Sequence, residues 1–288
     1  MRDLDVDLVR RLVATQFPQW ADLPVRPVEH DGWDNRTFRL GEEMSVRLPS
    51  ASPYRHQPAK EQRWLPVLAP LLPLPIPTPL ASGVPGHGYP YVWSVNRWLP
   101  GTPASVAGIA DPVAFARDTA AFLRALYAID PDGGPSPGPH NFFRGGPLTT
   151  YDDETRRAVA QLATRIDQAA CLEVWEQALA SVWAGPPVWV HGDVAVGNLL
   201  VRDGRLGAVI DFGGLAVGDP SCDCVLAWRT LSGEARRTFK EGMSLDQATW
   251  TRGRGWALWK ALITFDAADP IEAETSRRTV HEVLDDAG

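Results

Sequence analysis

The stretch His191-Gly192-Asp193-Val194-Ala195-Val196-Gly197-Asn198-Leu199-Leu200, followed by Val209-Ile210-Asp211-Phe212-Gly213, decides how the rest of the chain is read. In both places a polar side chain abuts a short apolar run. Runs of that length bounded by Gly and Asp read as buried strands, here 188–190, 198–201 and 207–210. Asp193 and Asn198 then fall on a loop between strands, and Asp211 ends the third. Loops and strand ends on a rigid scaffold are where reactive groups are commonly placed.

The residue types are those phosphoryl transfer requires. That chemistry needs a carboxylate to orient a hydroxyl and take its proton, hard oxygen ligands for Mg2+, and positive charge against a triphosphate. Asp193 suits the first role. Asn198 and Asp211 suit the second, because an amide oxygen and a carboxylate leave octahedral positions for phosphate oxygens and water. His191 is expected to brace the loop through hydrogen bonds rather than to move protons. The competing reading makes all three polar residues ordinary turn and cap residues.

Working outward, the amino-terminal part reads as β-rich. Strand-like runs cover 25–30, 36–40 and 45–48, with turn chemistry at 31–35 and 41–43. A helix is expected over 59–68, stopped by a proline-rich extended connection over 70–79, and a further strand over 91–99. Trp33, Trp64, Trp93 and Trp98 are read as packing residues. Beyond Pro100-Gly101 the pattern turns helical, over 112–128, 152–166, 173–180 and most of the chain from 220, with a Gly/Pro-rich loop at 130–147. The expected architecture is α+β, with two lobes: a β-rich lobe over 1–99, a hinge near 96–101, and a helical lobe over 102–288.

Composition bounds the function. With 44% hydrophobic residues in 288, there is ample material for a core. A net charge of −7 provides no basic field for nucleic acid or an anionic membrane. Three cysteines, Cys171, Cys222 and Cys224, form an odd set at non-framework spacing, which implies free thiols and a cytoplasmic protein. Cys222-Asp223-Cys224 lacks zinc spacing. No secretory h-region, membrane-spanning run or obligate protein partner is expected.

The order His191-x-Asp193-x4-Asn198, then Ile210-Asp211-Phe212-Gly213, then Gly218-Asp219-Pro220 with Asp223, resembles the aminoglycoside phosphotransferase family, itself similar to protein and choline kinases. The resemblance implies a two-lobed protein-kinase-like fold, with an antiparallel sheet and one helix in the first lobe. It also implies ATP or GTP as donor, Mg2+ on Asn198 and Asp211, Asp193 as catalytic base, and Asp219 bracing the catalytic loop. Residues 32–35 stand where the family has its phosphate-covering hairpin, so backbone amides and the Asn35 side chain are expected at the phosphates. Arg47 occupies the usual lysine position with Glu61 as its helix partner, a departure from the family pattern. An ordinary surface ion pair is the competing reading. At the hinge the Arg97 carbonyl and the Leu99 amide would pair with a purine edge.

The implied acceptor is a small-molecule hydroxyl, foremost an aminoglycoside, with antibiotic resistance as the consequence. A macrolide, a small metabolite such as an amino alcohol, or a nucleotide-binding pseudokinase are the alternatives. The acids Asp130, Asp132, Asp152 and Asp153, with Asp266, Asp269, Glu272 and Glu274, are read either as walls for a cationic acceptor or as solvated helix faces.

Overall fold

The strand-like alternation at the amino-terminal end becomes an antiparallel sheet in the computed structural model, which describes residues 4–29, 32 and 34–286. His30, Asp31 and Trp33 of the expected strand and turn lie outside the described residues. The sheet comprises β1 (Val25–Pro27), β2 (Asn35–Leu40), β3 (Met44–Pro49), β4 (Pro79–Gly83) and β5 (Trp93–Arg97), ordered β1-β2-β3-β5-β4. Phe38 and Leu40 on β2 and Val46 and Leu48 on β3 alternate onto one buried face, with Phe38 opposite Val46.

That face is covered by α1 (Val6–Gln16), which Asp5 caps by accepting from the Leu8 amide at 2.8 Å. Leu8, Val9, Leu12 and Val13 of α1 form one core with Val95 and the wholly buried Trp93. Each such aliphatic side chain stabilises the fold by about 1.5–3 kcal/mol relative to exposure. α2 (Gln57–Leu68) matches the expected helix and begins two residues earlier. The proline-rich stretch after it is extended only in its later part, because residues Ala69–Leu71 first make a 3-10 turn.

These elements belong to a unit made of Met1–Gly101 together with Ala208–Gly213. The later segment is held to the unit by the Val209 amide, which donates to the Pro75 carbonyl at 3.1 Å. The expected lobes were continuous in sequence; this unit is not.

The second unit comprises Thr102–Gly207 and Gly214–Gly288. Its small strands are β6 (Thr102–Pro103), β7 (Val188–Val190), β8 (Leu199–Arg202), the first three residues of β9 (Arg205–Val209) and β10 (Ala216–Gly218), with β7 paired to β10 and the order β6-β8-β9 in the other sheet. β8 and β9 are joined by Asp203 and Gly204 at φ 52° and 75°, the left-handed pair of a two-residue hairpin. The helices are α3 (Ala104–Ala107), α4 (Pro112–Tyr127), α5 (Asp152–Gln161), α6 (Gln168–Ala180), α7 (Leu226–Arg229), α8 (Gly233–Met243), α9 (Gln247–Ile263) and α10 (Pro270–Asp285).

α9 is buried nearly all round, from Thr249 to Leu262. It can be so because Gly253 and Gly255 let neighbours approach: a Cβ on either would stand 2.5 Å from the Cβ of Cys224 or of Ala178. The three cysteines are free and buried. Among the described residues no helix is long and apolar enough to cross a membrane.

Candidate active site

In the first unit, β3 and α2 bring a guanidinium and a carboxylate together. Arg47 Nη1 lies 3.2 Å from both oxygens of Glu61, and Nη2 lies 3.3 Å from Oδ1 of Asp211. The Glu61 side chain is 4% exposed and that of Arg47 13%, so this is not a surface ion pair. Burial pushes the Glu61 carboxyl above its ordinary range, with Arg47 pulling it back; burial also opposes the Arg47 charge, and Glu61 and Asp211 together outweigh it.

Sequence reasoning missed Lys60. Its Nζ is buried and donates to the Gly213 carbonyl at 2.5 Å. Desolvation lowers its pKa to about 8 against the pull of Glu61 and Asp211. The available signal was its position directly before Glu61 in a helix that turns both side chains inward. Asp211 sits at φ 64°, a left-handed conformation that Asp tolerates better than most residues, and its Oδ1 accepts from the Gly213 amide at 3.3 Å. A Cβ at residue 213 would stand 2.4 Å from the Gln57 amide, so any larger residue there would displace the side chain that also holds Asn35 and Asp34.

Asn35 is differently placed from expectation. It is buried, and its Nδ2 donates to Gln57 Oε1 at 2.8 Å while Gln57 Nε2 donates to Asp34 Oδ2 at 2.7 Å. The Asn35 amide therefore fixes the amino-terminal end of α2 instead of reaching outward. At the expected hinge, β5 ends at Arg97, whose amide donates to the Thr78 carbonyl, and Leu99 is half-buried beyond the strand end. Arg39 stacks on Trp98 at 4.0 Å.

In the second unit β7 runs directly into the loop of Asp193. His191 is wholly buried, and its Nδ1 accepts from the Asp193 amide at 3.2 Å. Gly192 turns at φ 83°, where a Cβ would stand 2.5 Å from the Gly214 carbonyl and 2.9 Å from the Arg144 stem. Asp193 is exposed, and Asn198 Nδ2 donates to its carbonyl at 2.9 Å and to its Oδ2 at 3.1 Å. The acid and the amide of the motif are thus brought together. With its NH2 so engaged, Asn198 keeps Oδ1 as its available ligand atom.

The loop is braced by Asp223, not by Asp219. Asp223 is fully buried and accepts from the His191 amide at 3.0 Å, the Gly192 amide at 2.7 Å and the Tyr127 hydroxyl at 3.3 Å. Burial raises its pKa, and the nearby His191 and the two loop amides oppose that rise. Asp219 instead holds Arg252 in a buried ion pair at 2.7 Å and caps the Ser221 amide at 3.0 Å. Spacing alone could not separate two acids four residues apart; burial on the loop side does.

Among the described residues no group of three or more His, Cys, Asp or Glu could hold a metal ion. Asp211 in the first unit offers a carboxylate and Asn198 in the second an amide oxygen, each by itself a hard oxygen donor of the kind Mg2+ takes.

The family model described as phosphotransferase enzyme family matches residues 25–256. No curated protein matches the sequence. Among solved structures, a point mutant of aminoglycoside 2'-phosphotransferase-IIIa in complex with GDP is 18% identical, with 98% of each chain covered and a TM-score of 0.76. An ADP-bound aminoglycoside phosphotransferase is 18% identical, covering 98% of this chain and 97% of its own, at a TM-score of 0.61. Macrolide 2'-phosphotransferase of Brachybacterium faecium, solved as apoenzyme, is 23% identical, covering 96% and 98%, at 0.62. At these identities the likeness shows the kinase-like fold.

Proposed function

Because the chain belongs to the phosphotransferase enzyme family, we propose that it moves the γ-phosphoryl group of a nucleoside triphosphate to a hydroxyl of a small molecule, with Asp193 facing that hydroxyl. The observation that carries this reading is the exposed Asp193 carboxylate, tied to Asn198 on a loop whose amides are fixed by a buried acid. Such a carboxylate can hold the acceptor O–H in line and take its proton as the new bond forms.

Arg47, oriented by Glu61, supplies the positive charge for the phosphates, and backbone amides at 32–35 complete their surroundings. The Arg97 carbonyl and Leu99 amide meet the purine edge. Asp211 and Asn198 would hold Mg2+, which when bound neutralises the developing charge on the phosphate oxygens. ATP and GTP both fit a backbone-read base, and relatives of this fold have been solved with ADP and with GDP. The acceptor is an antibiotic of the aminoglycoside or macrolide kind, the classes named for those relatives. Three buried free thiols suit a reducing cytoplasm.

The test is Asp193→Asn in a γ-labelled ATP and GTP transfer assay across an antibiotic panel. Turnover should fall about 100-fold or more while nucleotide affinity stays within about twofold, because the side chain faces the acceptor and not the nucleotide. Turnover near that of the parent would remove Asp193 from the chemistry.

A further inference from the structure

Lys60 is a buried cation to which the phosphotransfer reading gives no task. It is 8% exposed, and its one hydrogen bond among the described residues runs from Nζ to the Gly213 carbonyl at 2.5 Å. It forms no ion pair among those residues; the two nearby carboxylates, Glu61 and Asp211, are both held by Arg47. The charge costs the fold: desolvation lowers the pKa to about 8 although both carboxylates favour the ammonium. An uncharged chain of similar length would be better tolerated there, so stability does not account for Lys60.

What it holds does. Gln57, Lys60 and Glu61 stand at i, i+3 and i+4 on one buried face of α2, and each acts on the segment 211–213. Gln57 lies against Gly213, its amide nitrogen 2.4 Å from where a Cβ would stand. Lys60 takes the Gly213 carbonyl, and Glu61 orients the Arg47 guanidinium whose Nη2 reaches Asp211 Oδ1 at 3.3 Å. The Gly213 amide donates to the same oxygen at 3.3 Å. The segment needs such ties, since Asp211 stands at φ 64°, a conformation disfavoured for a residue with a Cβ. Of these contacts the one from the Lys60 ammonium is the shortest, as a charged donor allows.

We infer that Lys60 is a positioning residue for Asp211: its ammonium anchors Gly213 to α2, and Gly213 in turn holds Asp211 Oδ1 through its amide. The carboxylate is thereby turned so that Oδ1 meets Arg47 and Gly213, while Oδ2, on a side chain 25% exposed, has no hydrogen bond among the described residues. Oδ2 is then the oxygen left for Mg2+. The inference rests on the phosphotransfer reading for what Asp211 does, and on α2 alone for how Asp211 is held.

Two variants of the full chain test it: Lys60→Met, which keeps an unbranched stem and removes charge and donors, and Lys60→Arg, which keeps both. Hydrogen exchange without nucleotide or metal reads the turn directly. The Gly213 amide should exchange about tenfold or more faster in Lys60→Met and near the parent rate in Lys60→Arg, with the Tm of Lys60→Met no lower than the parent's. A turn as protected in Lys60→Met as in the parent overturns the inference. So does a lowered Tm with faster exchange throughout α2, which is what a packing role would give. With γ-labelled ATP and GTP, kcat of Lys60→Met should fall about tenfold or more and the Mg2+ needed for half-maximal rate should rise. The acceptor KM should stay within about twofold, and Lys60→Arg should recover both losses. An unchanged kcat and Mg2+ requirement beside a loosened turn also overturns it. No transfer by the parent from either nucleotide, with the turn loosened as expected, would sink the phosphotransfer reading and leave the hold of Lys60 on Gly213 standing.

Discussion

Arg47 is the residue on which the first unit's charge balance turns. Its guanidinium serves two carboxylates that would otherwise repel each other beside Lys60. A fork can do this, whereas an ammonium presents a single point charge. Removing it in Arg47→Ala leaves Glu61 buried without its partner, at a cost of about 3–5 kcal/mol. Glu61 already has a raised pKa, and the loss of Arg47 raises it further. A carboxyl with a raised folded pKa contributes stability that is present below its unfolded value and lost as pH rises through the folded one. The destabilisation should therefore be small near pH 4.5 and grow towards pH 8, read as urea midpoints of parent and variant across that range. A loss independent of pH would mean that Glu61 is not the group left exposed to the cost. Arg47→Lys should keep most of the stability and raise the KM for nucleotide, because the charge remains but the second hydrogen bond to Asp211 does not.

Among the elements, α9 carries the clearest test of packing. Replacing glycine by alanine inside a helix ordinarily stabilises it by about 1 kcal/mol. Here Gly255→Ala would press on the Cβ of Ala178 and on Leu148, and Gly253→Ala on the Cβ of Cys224. Each should instead destabilise by about 1–3 kcal/mol, seen as a lowered Tm, with the larger effect in the double variant. The same helix shows why some elements were legible in the sequence and others were not. Strands β2 and β3 announced themselves by the apolar alternation of Phe38 with Leu40 and of Val46 with Leu48, β7 by its short apolar run, and the loop motif by its fixed spacing. α1 went unread although Leu8, Val9, Leu12 and Val13 repeat at helical spacing, and β4 was hidden directly after a proline-rich stretch. The hairpin of β8 and β9 carried its own signature in Asp203-Gly204, the dipeptide that supplies two left-handed residues. The brace at Asp223 and the left-handed pair Phe142 and Phe143, at φ 53° and 50°, could not be read, since neither burial nor a positive φ at a non-glycine residue leaves a mark in composition.

At the scale of the whole molecule, all three thiols are enclosed. Burial pushes Cys171 up to about 11 and raises Cys222 and Cys224 well above the ordinary thiol range, with Asp223 adding to the effect. Since only the thiolate reacts, the native protein should leave an aromatic disulfide reagent unconsumed at pH 8 and release three equivalents on denaturation. A stoichiometric native reaction would show that the helical unit opens without global unfolding. The net charge of −7 likewise predicts no retention on a nucleic acid matrix at low salt.

The chain visits its first unit twice, leaving it after Gly101 and returning for Ala208–Gly213. A break at the Asp203-Gly204 turn, whose residues are exposed, would therefore divide the chemistry unevenly. One fragment would carry the proposed Arg47, Asp193 and Asn198, the other the proposed Asp211 and the Asp223 that holds the Asp193 loop. On the proposed assignments neither piece acts alone, so phosphotransfer recovered on mixing would report their reassembly, which makes this turn a natural seam for a split-protein complementation sensor.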